Sequence, residues 1–124
     1  SKYLDASFYD WSEIKNNYNV LSELVDNMFS DVPKGFSGSE INALVGTVVE
    51  NAFRTYVNQL RGNDDVQPSP VKITKPDFEK VISEMKDYVM SHQLNSNKDS
   101  EKKDSAILRI MRLKEEYSLR PASK

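Results

Sequence analysis

The residues whose types could support chemistry are a glycine and serine segment and a few isolated polar side chains. The segment 34-KGFSGSE-40 places a lysine, two glycines and two serines directly before a long run of periodically spaced apolar residues. Backbone amides at such a position can cradle a phosphate group, or a serine can simply cap the helix. A loop of the G-x-x-x-x-G-K-[ST] type is excluded, because Lys34 precedes the glycines instead of following them. We therefore expect no nucleotide hydrolysis by this chain alone.

Other candidates for catalysis or metal binding are weak. His92 is the only histidine and the chain has no cysteine, so a zinc site would need carboxylates at spacings that the sequence lacks. Asp5, Asp10 and Glu13 are close in sequence, but their polar segment offers no apolar pocket that would shift their pKa values. We interpret all four as solvated surface residues, and we predict no catalytic residue and no metal site.

Length, composition and charge restrict the fold and the partners. The chain has 124 residues, of which 38% are hydrophobic, enough for one modest core. Acidic and basic residues are mixed and the formal net charge is −2, which gives no footprint for nucleic acid or an anionic membrane. No apolar run approaches the ~20 residues of a membrane span, and the lack of cysteine fits a reducing compartment. We expect a cytoplasmic protein.

Apolar periodicity predicts an all-α fold, a small helical bundle. Spacings of three and four residues indicate helices near 19–30, 38–61, 74–91 and within 106–120. Phe8, Trp11 and Ile14 suggest a further short helix or helical turn. No strand alternation of useful length and no internal repeat is found.

The helix predicted over 38–61 has the clearest pattern. Its apolar stripe continues from Ile41 to Leu60, so we expect one continuous buried face. Ser37 stands three residues before Glu40, which is the spacing of a capping box in which each side chain accepts the backbone amide of the other residue. Ser37 is therefore the predicted N-cap.

Composition divides the chain into three parts. Residues 94–105 are almost entirely polar and predict a flexible linker between residues 1–93 and a C-terminal helix and tail over 106–124. The chain begins at Ser1 without an initiator methionine, and we expect it to be part of a longer protein.

Two motifs resemble those of a known family. Gly35-Phe36-Ser37-Gly38-Ser39-Glu40-Ile41-x-x-Leu44 is similar to the G-[FY]-[ST]-G-A-[DE]-[LI]-x-x-[LV] motif that opens the sensor-2 helix of AAA ATPases. Further on, 73-ITKPDFEKVI-82 resembles the start of the last helix of the AAA lid. The C-terminal tail vaguely resembles that of single-domain AAA proteins of the cyanobacterial and chloroplast type. The 61–73 loop and Val81-Ile82 depart from the usual pattern, which puts the subfamily in doubt.

The resemblance implies a lid subdomain over residues 1–93 and a missing core that carries Walker A, Walker B and the Mg²⁺ of the nucleotide. It implies that Gly38 and Ser39 line the adenine and ribose side of ATP or ADP. In other AAA+ clades, an arginine follows this glycine and senses the γ-phosphate. Ser39 stands at that position here, so the resemblance implies that the lid has no such arginine. Arg54 would lie at a subunit interface of a homo-oligomeric ring that remodels a macromolecular substrate such as a protein.

Alternatives remain for both the motif and the whole chain. Ser37 and Glu40 alone favour a plain capping box after a turn. The whole chain could instead be a stand-alone helical interaction module whose 106–120 segment binds a groove on a partner. Under either interpretation the chain alone is expected to bind nucleotide weakly or not at all.

Overall fold

Residues 9–14, 17–62, 70–95 and 101–118 are described by the structure, a computed structural model. Within these residues, two short strands and four helices follow one another in the order β1 (Tyr9–Asp10), α1 (Tyr18–Phe29), α2 (Gly38–Gly62), β2 (Val71–Lys72), α3 (Lys75–Asn95) and α4 (Lys103–Ser118). The fold is mostly helical, which confirms the predicted small all-α bundle.

Local side-chain contacts explain where α1 begins and how the chain leaves it. The Asn17 side chain accepts a hydrogen bond from the Val20 amide at 3.2 Å and so caps the first turn. At the other end the Ser30 amide donates to the Asp26 carbonyl at 3.0 Å. Asp31 then has a φ of 63°, a left-handed conformation that aspartate tolerates better than most residues. This turn separates α1 from α2.

The start of α3 is capped in the reverse direction from that of α1, because the accepting side chain lies inside the helix and the donors lie before it. The Thr74 amide and hydroxyl both donate to Oδ2 of Asp77, at 2.8 and 3.0 Å. Lys86 on the same helix donates to the Asn27 side chain of α1 at 2.9 Å, and Lys75 forms an ion pair with Glu23 of α1. The helix extends to Asn95, beyond the predicted end near residue 91.

One hydrophobic core joins all four helices. α2 packs against α3 and α4, and α1 packs against the same two helices from the other side. The largest fully buried side chains come from every helix and from the segments that connect them: Phe36, Phe78, Ile14, Leu21, Leu24, Met28, Ile41, Leu44, Ile73, Ile82, Ile110 and Val25. Trp11 is also buried, with its ring 6.4 Å from that of Phe78.

A short helix or a helical turn was predicted around Trp11, and the structure has a short strand followed by a single turn. β1 pairs in parallel with β2, with Tyr9 opposite Val71 and Asp10 opposite Lys72. A single turn follows, in which the Ile14 amide donates to the Trp11 carbonyl at 2.9 Å. Three apolar residues at helical spacing are compatible with a strand followed by a turn, and the pairing partner lies far away in sequence. Phe8 is outside the described residues.

The stripe of α2 is buried along only part of its length, contrary to the expectation of one continuous buried face. Ile41, Leu44 and Val45 are completely buried, whereas Phe53 is 41% and Leu60 is 47% exposed. α3 begins beside the middle of α2, because Asp77 and Lys80 line a common cleft with Asn51 and Thr55.

The linker expected over 94–105 is partly helical. α3 includes the first two of its residues, α4 begins at Lys103, and residues 96–100 are outside the described part of the chain. Ala106, Ile107 and Ile110 of α4 are buried in the core that α1 and α2 share. The C-terminal helix therefore docks on its own bundle.

Candidate functional site

The candidate site lies at the N-terminus of α2, where the glycine motif makes a close turn. Gly35 has a φ of 71°, and a Cβ at this position would collide with the ring of Phe29 at the end of α1. The next residue, Phe36, is completely buried in the core. Glycine is therefore required at position 35 for its conformation and for space, while Phe36 anchors the turn.

Ser37 and Glu40 form the predicted capping box. The Ser37 amide donates to Oε1 of Glu40 at 2.8 Å, and the Glu40 amide donates to Oγ of Ser37 at 3.3 Å. Both residues are only 5% exposed. The capping box thus satisfies a buried carboxylate and two backbone amides at once, which confirms Ser37 as the N-cap.

Gly38 and Ser39 are the first two residues of α2 and have different surroundings. The Ser39 side chain is exposed, and its hydroxyl lies 3.3 Å from that of Ser37. Within the described part of the chain, the amides of both residues lack a hydrogen-bond acceptor, as is normal in a first helical turn. These amides and the helix dipole favour a nearby anionic or acceptor group.

An arginine from α4 covers Gly38. An ideal Cβ on Gly38 would lie 3.0 Å from Nη2 and 3.1 Å from Cζ of Arg109. Nε of Arg109 donates to Oε1 of Glu101 at 2.8 Å, and the Glu101 amide donates to the Phe36 carbonyl at 3.2 Å. We call these three residues, Phe36, Glu101 and Arg109, the α4 clasp.

No pattern in the sequence predicts the α4 clasp. Arg109 and Glu101 stand far from the glycine motif in the chain, and no local pattern links either of them to it. The only signal in the sequence is an arginine beside the buried face of a C-terminal helix. Such an arginine is ordinarily a solvated surface residue.

Arg54, the predicted interface residue, lies in the second half of α2, which extends from Gly38 to Gly62. Sixteen residues along a helix correspond to about 24 Å, so Arg54 is remote from Gly38. Its guanidinium forms an ion pair with Glu50 at 3.2 Å, and the two side chains are 70% and 62% exposed. The neighbouring Phe53 is partly exposed and stacks near Tyr56, with 6.4 Å between the ring centroids. Polar and apolar surface therefore adjoin here.

The carboxylates considered in the sequence have structural roles. Asp10 accepts the Ser12 amide at 2.9 Å, and hydrogen bonds from the amide and hydroxyl of Ser12 hold the pKa of Asp10 below its usual value, with a smaller contribution from the charge of Lys72. Oε2 of Glu13 accepts the Lys75 amide at the start of α3, at 3.1 Å. Asp5 is outside the described residues.

His92 lies within α3, not beyond its end as the sequence predicted. Its Nδ1 is 3.0 Å from the Tyr88 carbonyl, and its ring lies 3.9 Å from that of Tyr88. Among residues 9–14, 17–62, 70–95 and 101–118, no group of three or more histidine, aspartate or glutamate side chains could hold a metal ion. The histidine thus belongs to an aromatic surface pair.

A surface cleft lies between α2, β2 and the start of α3. It has a volume of about 280 Å³ and is lined by Asn51 and Thr55 of α2 and by Lys72, Asp77 and Lys80. Asp77 is already engaged in the cap of α3, and the two lysines are on exposed positions. The cleft carries charges of both signs, and Asp77 and Lys80 of its lining belong to the segment 73-ITKPDFEKVI-82.

Comparison with known proteins adds no relative: no protein-family model, no curated protein and no solved structure matches this chain. In the described residues, no helix has the length and apolar character needed to cross a membrane.

Proposed function

We propose that this chain is the C-terminal helical lid of an AAA ATPase, which contacts the adenine and ribose side of ATP or ADP through Gly38 and Ser39. The αβ core with its Mg²⁺ and hydrolytic residues would be supplied by another part of the same protein. The lid would change its angle to the core as nucleotide is hydrolysed, and a ring of such subunits would convert this motion into work on a protein substrate.

The observation that carries the proposal is the pairing of two motifs on two packed helices. The glycine motif opens α2 with a capping box, and the second motif opens α3 with the Thr74 and Asp77 cap. α2 and α3 pack directly against each other, and α1 precedes them as a short helix. Either cap alone is common in unrelated helical proteins, whereas the order and packing of both favour the lid.

The first turn of α2 also offers polar groups to a nucleotide. Ser39 is exposed, and the first-turn amides have no acceptor among the described residues. A helix N-terminus stabilises anionic groups by roughly 0.3–1 kcal/mol at an exposed surface. This supports a contact with ribose or phosphate oxygen atoms, while hydrolysis itself would need groups from the core.

The first experiment is to read the gene upstream of Ser1. An in-frame strand, a G-x-x-x-x-G-K-[ST] loop and a later apolar run ending in Asp-Glu would establish the core that the proposal requires. A start codon immediately before Ser1 would refute it. The pure 124-residue chain is expected to show no ATPase activity, and measurable turnover would also contradict the lid assignment.

In the intact protein, Ser39→Glu should weaken ADP binding, because a larger and charged side chain would crowd the adenine and ribose side of the nucleotide. The fold should be unaffected, since glutamate in a first helical turn is favourable. Asn42→Glu, at an exposed position further along α2, is the matched control and should leave ADP affinity unchanged. Equal affinities of both variants, measured by isothermal titration calorimetry, would contradict the assigned role of Ser39.

A helical interaction module is the second candidate, and the partly exposed end of α2 favours it. Phe53, Tyr56, Val57 and Leu60 follow helical spacing, and the first and last are 41% and 47% exposed. In a ring this surface and Arg54 would face the next subunit. In a stand-alone module the same surface would bind a partner helix, and the upstream gene sequence separates the two cases.

A further inference from the structure

We propose that Arg109 occupies the surface of Gly38 on which the nucleotide would lie, so that docking of α4 and nucleotide binding exclude one another. This inference rests on the proposed function, since it takes the N-terminus of α2 as the nucleotide-facing end of the lid. α4 would then be an autoinhibitory element, and nucleotide binding would require Arg109 to move away.

Gly38 has no Cβ atom, which leaves space beside the helix backbone at this position. A glycine at this position lets a flat ring approach the helix backbone, because no Cβ holds the ring away. In the structure that space is filled, since the ideal Cβ position is 3.0–3.2 Å from three atoms of the Arg109 guanidinium. Distances of 3.0–3.4 Å are tighter than most contacts that a Cβ atom makes. No gap therefore remains between Gly38 and Arg109 for a base or a ribose.

The guanidinium is held in this position by an ion pair, and its partner and its helix are themselves fixed. Its ion pair with Glu101 measures 2.8 Å, and the two side chains are only 32% and 24% exposed. Glu101 is itself tied to the Phe36 carbonyl by its amide, at 3.2 Å. Ala106, Ile107 and Ile110 fix α4 in the core. Arg109 can leave Gly38 only if the ion pair breaks or α4 shifts.

If charge alone mattered, loss of Arg109 would weaken nucleotide binding, whereas the inference predicts tighter binding. The two explanations can therefore be separated by experiment. Arg109 and Arg112 line the same cleft of about 190 Å³, together with Glu101, Ser105 and Leu108. If the two arginines simply attracted an anionic nucleotide, removal of either would weaken binding. If Arg109 covers Gly38, its removal strengthens nucleotide binding. Removal of Arg112 then weakens binding, because only a positive charge is lost.

The experiment titrates the 124-residue chain with ADP and Mg²⁺ and follows the amide signals of Gly38 and Ser39 by NMR. Arg109→Ala should bind ADP at least about fivefold more tightly than the wild type, the lower end of typical coupling between two sites. Arg112→Ala is the matched control and should bind no more tightly than the wild type. Circular dichroism verifies that each variant is folded.

A milder pair of variants tests the same point without removing the arginine. Glu101→Gln releases Arg109 from its partner, and Glu115→Gln makes the same change of charge at an exposed position of α4. Only the first should bind ADP more tightly. Because coupling is reciprocal, ADP should also accelerate hydrogen exchange of the α4 amides in the wild type, with no effect on the α1 amides.

Unchanged or weaker ADP binding by both Arg109→Ala and Glu101→Gln would overturn the inference, and so would the failure of every folded variant to bind ADP. The proposed function has separate tests in the upstream gene sequence and in Ser39→Glu of the intact protein. If ADP binds to the lid while the α4 clasp stays in place, the proposed function stands and the inference is wrong.

Discussion

The two halves of α2 have the same apolar pattern and different surroundings. In the first half, Ile41 and Leu44 are completely buried under α3 and α4, whereas Phe53 and Leu60 in the second half are 41% and 47% exposed. The first half begins with a capping box and a clasp from another helix. The contrast shows that an amphipathic pattern identifies the face of a helix that can be buried, while neighbouring elements decide how far the burial extends.

The interactions that hold the two halves differ in the same way. At the start, Arg109 and Glu101 form a partly buried ion pair between α4 and the preceding segment. Toward the end, the bonds are local: Thr55 Oγ1 donates to the Asn51 carbonyl at 3.2 Å, and Arg54 pairs with Glu50. We therefore expect substitutions in the first half to affect the stability of the whole bundle, and those in the second half to have small effects.

The largest effect is expected from a pair of identical substitutions in the two halves. Leu44→Ala removes a completely buried side chain and should reduce the free energy of unfolding by about 2–5 kcal/mol. Leu60→Ala, at a position 47% exposed, should reduce it by at most about 1 kcal/mol. Urea unfolding followed by circular dichroism measures both. Equal losses would mean that the end of α2 is covered as well as its beginning.

Two glycine substitutions separate the turn before α2 from the interior of the helix. Gly35→Ala forces a left-handed residue with a Cβ against Phe29, and should cost about 1–3 kcal/mol of stability. At Gly46 the added Cβ would lie 3.5 Å from the Tyr117 hydroxyl, an ordinary contact. Gly46→Ala should therefore stabilise the protein by about 0.5–1 kcal/mol. Thermal unfolding of the two variants should move in opposite directions, and a stable Gly35→Ala would refute the requirement for glycine.

The capping box should contribute a moderate amount of stability. Ser37→Ala removes the oxygen that accepts the Glu40 amide and should cost about 0.5–2 kcal/mol. Ser39→Ala removes an exposed hydroxyl two residues away and serves as the control, with an expected change within about 0.5 kcal/mol. Guanidinium unfolding compares them. If both variants lose the same free energy of unfolding, the Ser37 cap makes no specific contribution to stability.

The smallest effect is expected at the exposed end of α2. Arg54→Ala breaks a solvent-exposed ion pair with Glu50, and such pairs within a helix stabilise by only about 0.3–0.5 kcal/mol. The difference between variant and wild type should disappear as salt screens the charges. A loss above about 1 kcal/mol at high salt would show that Arg54 has a further contact in the folded chain.

The sequence predicted the contacts of the candidate site between neighbouring residues, but not its contacts with distant residues. Ser37 and Glu40 lie within one helical turn, so their spacing alone predicts both hydrogen bonds. The expectation that Gly38 faces a nucleotide came only from the family resemblance. The guanidinium that fills this face belongs to α4, and its position depends on how Ala106, Ile107 and Ile110 pack into the core. Local spacing carries no information about such a contact.

By itself, the sequence determined the helices, their caps and the apolar faces, because each depends on residues three or four positions apart. The tertiary structure decided the rest. It paired β1 with β2, shortened the buried stripe of α2 and brought Arg109 onto Gly38. These contacts join distant parts of the chain, and they form only where packing of the core brings several elements together, which no local pattern can specify.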